Sequence, residues 1–301
     1  MVDITHKSST LRIAIAQAEV HMSAGSIDAI RNQAVPKGNV LEAARIAGLF
    51  AAKRTSDIIP DCHPLPIEYT DVRYDLHADK VVIEVEIRTI YKTGVEVEAM
   101  HAASVVALTM YDMLKPIDDD LVISSIKLLQ KTGGKSSYKD NFTEKLSGAV
   151  LVCSDNISAG EKTDKSGKVI LQKLENLPVE NVYYDIIPDE LVEIQIRVQQ
   201  YVDEGIDLIL LTGGTGLTPR DTTYEAIKPL LQKEIPGIGE HLRQYGQQRM
   251  PWAILSRSLG GIIGKSMIIT LPGSSRGAAE SMDALFPHVL HVFKMLHSGQ
   301  H

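Results

Sequence analysis

Apolar and polar residues alternate along much of the first half of the chain. Residues 72–76 and 81–87 each carry an apolar side chain at every second position, and only a short polar link separates them. This pattern predicts an antiparallel hairpin with one apolar face. A further strand is predicted over residues 121–129. The alternating stretch that begins at residue 11 fits a strand or a short helix, and the pattern alone does not separate the two.

Helical spacing of apolar residues appears in two other segments of the first half. Asn39 is suited to cap a helix, and the alanine-rich residues 40–50 follow it with a helical period. Residues 98–114 form a second, longer helix by the same criterion. Residues 57–66 contain three prolines, which predicts an extended loop.

The second half has a different pattern. Residues 148–153, 182–187 and 208–211 are almost continuously apolar, as in strands that are buried on both faces. Amphipathic helices are predicted between them, over residues 168–177 and 191–203. Alternation of buried strands and helices predicts a three-layer α/β domain with a mostly parallel sheet.

A polar segment separates the two patterns. Residues 131–147 hold glycine and serine pairs and mixed charges, without an apolar period. Such a composition is typical of a domain boundary. A chain of 301 residues is also long for a single core. We therefore predict one domain over residues 1–140, a linker over 141–147 and a second domain over 148–301.

Composition excludes several classes of protein. A net charge of -7 and an aromatic content of 5% argue against binding to nucleic acid, which favours a basic surface and stacking side chains. No apolar run is long enough to span a bilayer, and the first residues lack the apolar core of a signal peptide. The two cysteines do not form a disulfide framework. The cytoplasm is the expected compartment, with neither nucleic acid nor a membrane as partner.

A glycine-rich loop follows the strand predicted at residues 208–211. Its glycines would let the backbone approach a phosphate closely. Asp155, Asp189 and Asp221 each follow a predicted strand or this loop, so they are expected at the same edge of the sheet, where they suggest a magnesium site. An ordinary turn between strand and helix is the simpler alternative for the loop, and an N-cap role is an equal alternative for Asp189.

The sequence around this loop is more specific than its glycines. Thr-Gly-Gly-Thr-Gly-Leu-Thr-Pro-Arg-Asp-Thr-Thr at 212–223 closely resembles the signature of the molybdopterin adenylyltransferase family. The segments at 236–243, 254–258 and 269–278 match the same family in order. The resemblance covers about residues 147–301, and it implies transfer of the adenylyl group of ATP to molybdopterin, with release of pyrophosphate.

The same resemblance assigns roles to individual residues. Asp189 and Asp221 are the implied catalytic carboxylates and Mg²⁺ ligands. One position departs from the family, because Asn156 stands where many relatives carry arginine, and this removes one cation. The residues implied to contact phosphate or nucleotide are Thr212, Gly213, Gly214, Thr215, Gly216 and Ser274.

Several short motifs of the first half are weak signals when taken singly. Lys37 and Lys53 flank the helix predicted at 40–50, and Asp112 and Lys115 share one helical face. Taken alone, each lysine beside the helix is better explained as a solvated charge or a cap, and Asp112 with Lys115 as a surface ion pair. Gly-Gly-Lys-Ser at 133–136 resembles the end of a P-loop, but position 129 is Leu where that motif needs Gly, so the motif fails.

Six short motifs, at 37–40, 51–55, 62–65, 92–99, 111–115 and 133–136, together and in order resemble the cyclic pyranopterin monophosphate synthase family over nearly all of residues 1–140. The resemblance implies a ferredoxin-like α+β fold and conversion of a cyclic dihydro-GTP intermediate to the cyclic monophosphate, with release of pyrophosphate. Asp112 is then the catalytic acid/base, with Lys115 as its partner and Lys37 as a further catalytic lysine. The residues implied to contact the substrate are Lys53, Asp61, Cys62, His63, Val97, Glu98 and Lys135. Asp61 departs from the apolar residue that is usual in that family.

The two resemblances predict a bifunctional enzyme of molybdenum cofactor synthesis. Its substrates are small molecules, its second half uses Mg²⁺ and ATP, and no tightly bound organic cofactor is expected. By analogy with the first family it is a homo-oligomer, with a hexamer as the expected assembly. Two alternatives remain for the second half: a non-catalytic module that binds pterin or nucleotide and supports oligomerisation, or a nucleotidyltransferase with a different acceptor.

Overall fold

A computed structural model describes residues 1–134, 137–138 and 140–298 of the chain. The chain divides into two compact units, Met1–Tyr138 and Lys139–His301, and each is described by itself. In this described part of the chain, every helix is too short or too polar to cross a membrane.

The first unit is built around a four-stranded sheet with helices on one face. Its sheet has the order β2-β3-β1-β4, and every neighbouring pair is antiparallel. The elements are β1 (Thr10–His21), α1 (Ala24–Arg31), α2 (Val40–Lys53), α3 (Thr55–Ile58), β2 (Tyr69–Leu76), β3 (Lys80–Tyr91), α4 (Glu96–Leu114) and β4 (Val122–Thr132).

The core of the first unit forms because one side of the sheet is apolar. The alternating stretch that begins at residue 11, for which the pattern allowed a strand or a short helix, is the strand β1 in the interior of the sheet. Its residues Ala14, Ala16 and Ala18 are fully buried. Helices α2 and α4 pack against this side, and they approach each other so closely that a Cβ on Gly48 would lie 2.5 Å from Val106 Cγ2. The predicted hairpin is confirmed as β2 and β3.

Three predicted boundaries in this unit need correction. The loop predicted over 57–66 begins later, because α3 continues to Ile58 and ends before Pro60. Helix α4 begins at Glu96, two residues earlier than predicted. Strand β4 extends to Thr132, so it includes the first two residues of the polar segment that was predicted as the domain boundary. Polarity was misleading there because an edge strand needs no apolar side chains on its exposed side.

The second unit contains a six-stranded mixed sheet with the order β6-β5-β7-β10-β9-β8. Its first four strands in this order are parallel, and β9 and β8 complete the sheet as antiparallel strands. The strands are β5 (Leu146–Cys153), β6 (Val179–Ile187), β7 (Leu208–Thr212), β8 (Lys233–Glu234), β9 (Gly260–Ile263) and β10 (Ser266–Leu271). The helices are α5 (Asp155–Ser158), α6 (Ser166–Leu174), α7 (Leu191–Asp203), α8 (Thr223–Ile227), α9 (Pro236–Gln247), α10 (Ser275–Leu285) and α11 (His291–Ser298).

Helices cover both faces of this sheet. On one face α6, α9, α10 and α11 form a core with the strands, and on the other face α7 and α8 do so. The predicted α/β domain with a mostly parallel sheet is therefore confirmed. The antiparallel strands β8 and β9 were not predicted, since β8 has two residues and β9 begins with two glycines. Strand β5 begins at Leu146, inside the segment predicted as linker.

The parallel strands end in register. Val152 of β5 and Leu271 of β10 both pair with Thr212 of β7, and Cys153 of β5 pairs with Ile187 of β6. The loops that follow these strands therefore meet at one edge of the sheet, where open α/β sheets bind their ligands.

Candidate active sites

In the first unit, Asp112 lies between two lysines. Lys37 Nζ is 2.8 Å from Asp112 Oδ2, and Lys115 Nζ is 2.8 Å from Asp112 Oδ1. Lys37 also donates a hydrogen bond of 2.7 Å to the backbone oxygen of Asp112. Gly38, at φ +99°, turns the chain between Lys37 and the start of α2. The structure thus brings together the three residues for which a catalytic role was predicted in this half.

The two lysines change the acidity of Asp112. Hydrogen bonds from Lys115 and then from Lys37 lower the pKa of its carboxyl to about 2. In this arrangement the carboxyl is ionised at neutral pH, whereas general acid/base catalysis works best with a pKa near the working pH. Asp112 is a fixed anion that orients two ammonium groups, and the same pairing raises the pKa of Lys115.

A second group of predicted residues lies at the other end of α4. Cys62 Sγ donates a hydrogen bond of 2.9 Å to Glu98 Oε1, and Glu98 is buried in the first turn of the helix. Burial raises the pKa of Glu98, and burial together with the nearby Glu98 raises the pKa of Cys62 to about 12. The Cys62 thiol is therefore protonated near neutral pH and is no nucleophile in this arrangement.

The remaining predicted residues of this half are more loosely held. His63 Nε2 lies 2.8 Å from Val2 O, and Asp61, 89% exposed, pairs with the N-terminal ammonium at 2.9 Å. Val97 and Lys53 are exposed. Lys135 lies outside the described residues.

Within one chain these residues do not form a single site. Glu98 and Asp112 stand at opposite ends of α4. Fourteen residues of helix separate them, which corresponds to about 21 Å along the axis. The structure therefore yields two clusters, one around Asp112 and one around Cys62 and Glu98.

In the second unit, the glycine loop lies at the edge where the parallel strands end. Gly213 and Gly214 have φ values of +103° and +58°. A Cβ on Gly213 would lie 2.1 Å from the Cys153 carbonyl oxygen, and one on Gly214 would lie 2.5 Å from both carboxylate oxygens of Asp189. Only glycine permits this backbone and this packing at both positions.

Asp189 is buried beside this loop. Its Oδ1 accepts hydrogen bonds from Thr222 Oγ1 at 3.0 Å and from Thr222 N at 3.4 Å. Burial raises the pKa of Asp189, and the nearby charges of Asp221 and Asp155 add to this shift. A cation nearby would stabilise the ionised form of a carboxylate in this environment.

Asp221 is held by its own turn. Its Oδ2 accepts hydrogen bonds from Thr218 N at 2.8 Å and Thr218 Oγ1 at 2.6 Å. Burial opposes ionisation of Asp221, but the hydrogen bonds from Thr218 outweigh it, and the pKa is lowered.

Asp155, the third carboxylate at this edge, pairs with an arginine for which no role was predicted. Arg220 donates to Asp155 Oδ2 through Nη2 at 2.6 Å and Nε at 3.0 Å, and it also contacts Glu190. Across the ranges that the structure describes, no three acidic, histidine or cysteine side chains converge as a metal cluster. The proposal of three carboxylates for magnesium is thus reduced to Asp189 and Asp221.

Two cavities adjoin the glycine loop. The polar cavity, of about 370 Å³, is lined by Asp155, Asp189, Gly213, Gly214, Arg220, Asp221 and Gly273, among others. The apolar cavity, of about 340 Å³, is lined by Thr215, Leu242, Tyr245, Met250, Trp252 and Ser274, among others. In one loop the division falls between Gly214 and Thr215; in the other, Gly273 lines the polar cavity while Pro272 and Ser274 on either side of it line the apolar cavity.

Two of the predicted contact residues have structural partners. Thr212 is buried, and its hydroxyl donates to the Pro272 carbonyl at 2.8 Å, so its side chain ties β7 to β10. Ser274 caps α10 by accepting a hydrogen bond of 3.1 Å from Gly277 N. Asn156 leaves the polar cavity without a cation at that position, yet Arg220 supplies one. Arg257 contacts the loop as well, and only its place in the 254–258 motif pointed to it.

Comparison with known proteins agrees with this division of the chain. Residues 1–134 match the MoaC family, and residues 149–291 match a probable molybdopterin binding domain. A cyclic pyranopterin monophosphate synthase of Nitratidesulfovibrio vulgaris is 49% identical over 138 residues, or 45% of the chain and 86% of that protein. A solved structure of the molybdopterin biosynthesis enzyme MoaB from Thermus thermophilus is 39% identical, with a TM-score of 0.48, over 52% of the chain and 98% of that protein.

One relative spans both halves. The molybdenum cofactor biosynthesis bifunctional protein of Chlorobaculum tepidum is 40% identical over 301 residues, which covers 100% of the chain and 96% of the relative. The chain therefore belongs to the family of molybdenum cofactor biosynthesis bifunctional proteins, as its two sets of motifs predicted.

Proposed function

We propose that the first unit converts a cyclic dihydro-GTP intermediate to cyclic pyranopterin monophosphate and pyrophosphate, and that the second unit transfers the adenylyl group of ATP to molybdopterin. For the first unit, the supporting observation is a carboxylate held by two lysines. For the second unit, it is the meeting of Asp189, Asp221 and the glycine loop at one edge of the sheet.

The lysines around Asp112 suit a triphosphate substrate. Lys37 and Lys115 are point charges that turn from a carboxylate to a phosphate without loss of charge. As phosphates draw them away, Asp112 loses the hydrogen bonds that lower its pKa, and its pKa rises toward the ordinary value. Substrate binding thus makes Asp112 a better proton acceptor, in keeping with its proposed role as the acid/base group that Lys115 partners in the resting site.

The distance along α4 supports a site shared between protomers. A nucleotide-sized substrate that contacts both Asp112 and the Cys62–Glu98 pair meets them from different chains of a homo-oligomer. A hexamer is our proposal for the assembly. The order β2-β3-β1-β4 with antiparallel neighbours also supports a ferredoxin-like assignment of the first unit.

The donor set at the polar cavity fits magnesium. Asp189 and Asp221 offer two carboxylates, and Mg²⁺ usually combines one or two carboxylates with substrate phosphates and water. When bound, Mg²⁺ neutralises phosphate charge and makes the α-phosphorus a better electrophile. The backbone of Gly213 and Gly214 approaches the phosphates, and Arg220 supplies a further cation.

The apolar cavity suits the pterin. Leu242, Tyr245, Met250 and Trp252 offer an apolar wall, and Ser274 at the N-terminus of α10 offers donors to the pterin phosphate. From there a phosphate oxygen attacks the α-phosphorus of ATP across the glycine loop. The bond from that phosphorus to the bridging oxygen breaks, and pyrophosphate leaves.

The cytoplasm stays the proposed compartment, supported by the free thiols of Cys62 and Cys153.

Mass spectrometry tests the second activity. Full-length protein is incubated with molybdopterin, ATP and Mg²⁺ beside an Asp221→Asn variant, and adenylylated product is expected from the parent alone. A folded parent that binds molybdopterin without forming product would overturn the proposal and identify this unit as a binding module. Turnover of a different phosphorylated acceptor in preference to molybdopterin would instead reveal a general nucleotidyltransferase.

Trp252 tests the place of the pterin. It is the one tryptophan of the chain, and 76% of it is exposed at the mouth of the apolar cavity. Stacking on a pterin ring would bury it. We expect molybdopterin, but not ATP, to quench its fluorescence, with a Trp252→Phe variant as the blank for pterin absorbance. Unchanged emission on binding that calorimetry confirms would place the pterin elsewhere.

A further inference from the structure

Arg257 holds the loop between Thr215 and Asp221 from behind. Its Nε donates to Gly216 O at 2.7 Å, its Nη2 donates to Asp221 O at 2.8 Å, and its backbone N donates to Thr215 O at 3.2 Å. One residue therefore ties both ends of the turn that carries Asp221. A planar guanidinium is suited to such divergent acceptors, because its donors are fixed in direction.

The guanidinium of Arg257 also contacts an acidic and an aromatic side chain of α8. Its Nη1 contacts Glu225 Oε1, and its guanidinium lies 5.3 Å from the ring centroid of Tyr224. The side chain is 24% exposed. Both of these residues lie in α8, so Arg257 connects this helix to the loop between Thr215 and Asp221.

The peptide between Asp221 and Thr222 links Arg257 to the proposed metal site. Its carbonyl accepts from Arg257, and its N–H donates to Asp189 Oδ1 at 3.4 Å. Because the C=O and N–H of a trans peptide point in opposite directions, the grip on the carbonyl aims the N–H at Asp189. The Asp221 side chain also packs on Gly216, where a Cβ would lie 2.8 Å from Asp221 Oδ2.

We propose that Arg257 is a positioning residue for adenylyl transfer, which sets the relative placement of Asp189 and Asp221 by holding Gly216 and the peptide after Asp221. This inference rests on the proposed function of the second unit. Partners that orient metal-binding residues typically change metal affinity or activity 10- to 100-fold when they are removed.

The test compares Arg257→Ala and Arg257→Lys with the parent protein. Adenylyl transfer is measured against Mg²⁺ at saturating ATP and molybdopterin. We expect the Mg²⁺ concentration for half-maximal rate to rise about 10- to 100-fold in the alanine variant. The lysine variant should lie between, because one ammonium cannot reach both carbonyls. Added ethylguanidine should restore part of the alanine variant's Mg²⁺ response, and a purely structural role predicts no such rescue.

A binding measurement keeps this inference separate from the proposed activity. Mn²⁺ is titrated, by electron paramagnetic resonance, into protein saturated with α,β-methylene-ATP, which adenylyl transfer cannot cleave. Weaker Mn²⁺ binding in both variants supports the role of Arg257 even if the parent proves inactive as a transferase. Arg197→Lys is the matched control, since Arg197 pairs with Asp185 at 3.2 Å and lines neither cavity.

Two results would overturn the inference. One is an unchanged Mg²⁺ response and Mn²⁺ affinity in variants whose thermal stability alone has fallen, which would make Arg257 a stabilising residue only. The other is a loss of the same size in the Arg197→Lys control. If the alanine variant does not fold, the lysine variant decides between these outcomes by the same two measurements.

Discussion

At the scale of single residues, two carboxylates of one helix have opposite electrostatic environments. Asp112 is exposed between two lysines, and its pKa is lowered to about 2. Glu98 is buried beside a thiol, and its pKa is raised. The family resemblance implied both as site residues, yet only the folded surroundings show that their pKa values are shifted in opposite directions.

Replacing Lys37 with Met should raise the pKa of Asp112. The variant removes one of the two hydrogen bonds that stabilise the carboxylate, so the titration midpoint moves from about 2 toward 3.8. Because the folded-state pKa lies below the unfolded value, this stabilisation is present above pH 4 or so and is lost as the pH falls toward 2. Carbon-detected NMR of labelled aspartate measures the midpoint.

Lys131→Met is the control for that titration. Lys131 pairs with Glu96 at 3.2 Å and does not contact Asp112, so its removal should leave the midpoint in place. A midpoint near 4 in the parent protein, or one that does not respond to Lys37→Met, would contradict the role given to the two lysines.

At the scale of elements, the strand-to-loop junctions carry the second site. Periodicity predicted β5, β6 and β7 and the loops that follow them, because buried parallel strands are continuously apolar. It did not predict β9, or the roles of Arg220 and Arg257. These arginines act through partners 65 and 41 residues away in sequence, Asp155 and Gly216, and such contacts leave no local pattern.

Gly214→Ala should abolish adenylyl transfer while the first activity persists. The variant meets two obstacles: the positive φ costs about 1–2 kcal/mol for a residue with a side chain, and the new Cβ displaces the Asp189 carboxylate. Gly205→Ala is the matched control, because it has φ +77° but open space around its Cβ. Thermal unfolding and both enzyme assays compare the two variants.

The expected pattern separates strain from displacement. Both variants should lose the stability that the positive φ costs, Gly214→Ala should lose more because its Cβ also clashes, and only Gly214→Ala should lose adenylyl transfer. Equal activity in the two variants would show that Asp189 tolerates the displacement, and it would count against its catalytic role.

At the scale of the whole molecule, the chain joins two enzyme halves, each with its own core. That organisation was predicted from motifs and confirmed by a relative that spans both halves. The predicted helix already placed Glu98 and Asp112 near its opposite ends, and the fold adds that Cys62 joins Glu98 and Lys37 joins Asp112. The proposal that these two clusters belong to sites shared between protomers rests on their separation along the helix.

Mixed oligomers test the shared site. Chains with Asp112→Asn and chains with Glu98→Gln should each be inactive in the first reaction. When they are unfolded and refolded together in equal amounts, about a quarter of the sites receive both native residues if assembly is random and each site draws on two protomers. Recovery of about that fraction is expected. No recovery in oligomers shown by mass spectrometry to be mixed would place each site within one chain.

The close contact of two loops in the second unit has a practical consequence. A Cβ on Gly273 would lie 3.1 Å from Gly213 Cα, so the backbones after β7 and β10 touch where the two cavities divide. The partition between the two cavities proposed for ATP and for the pterin is thus about one backbone thick, or roughly 5 Å, the spacing of neighbouring strands. A bisubstrate inhibitor would need only a short bridge over this partition, so an adenosine and a pterin joined through two or three phosphates should occupy both cavities at once.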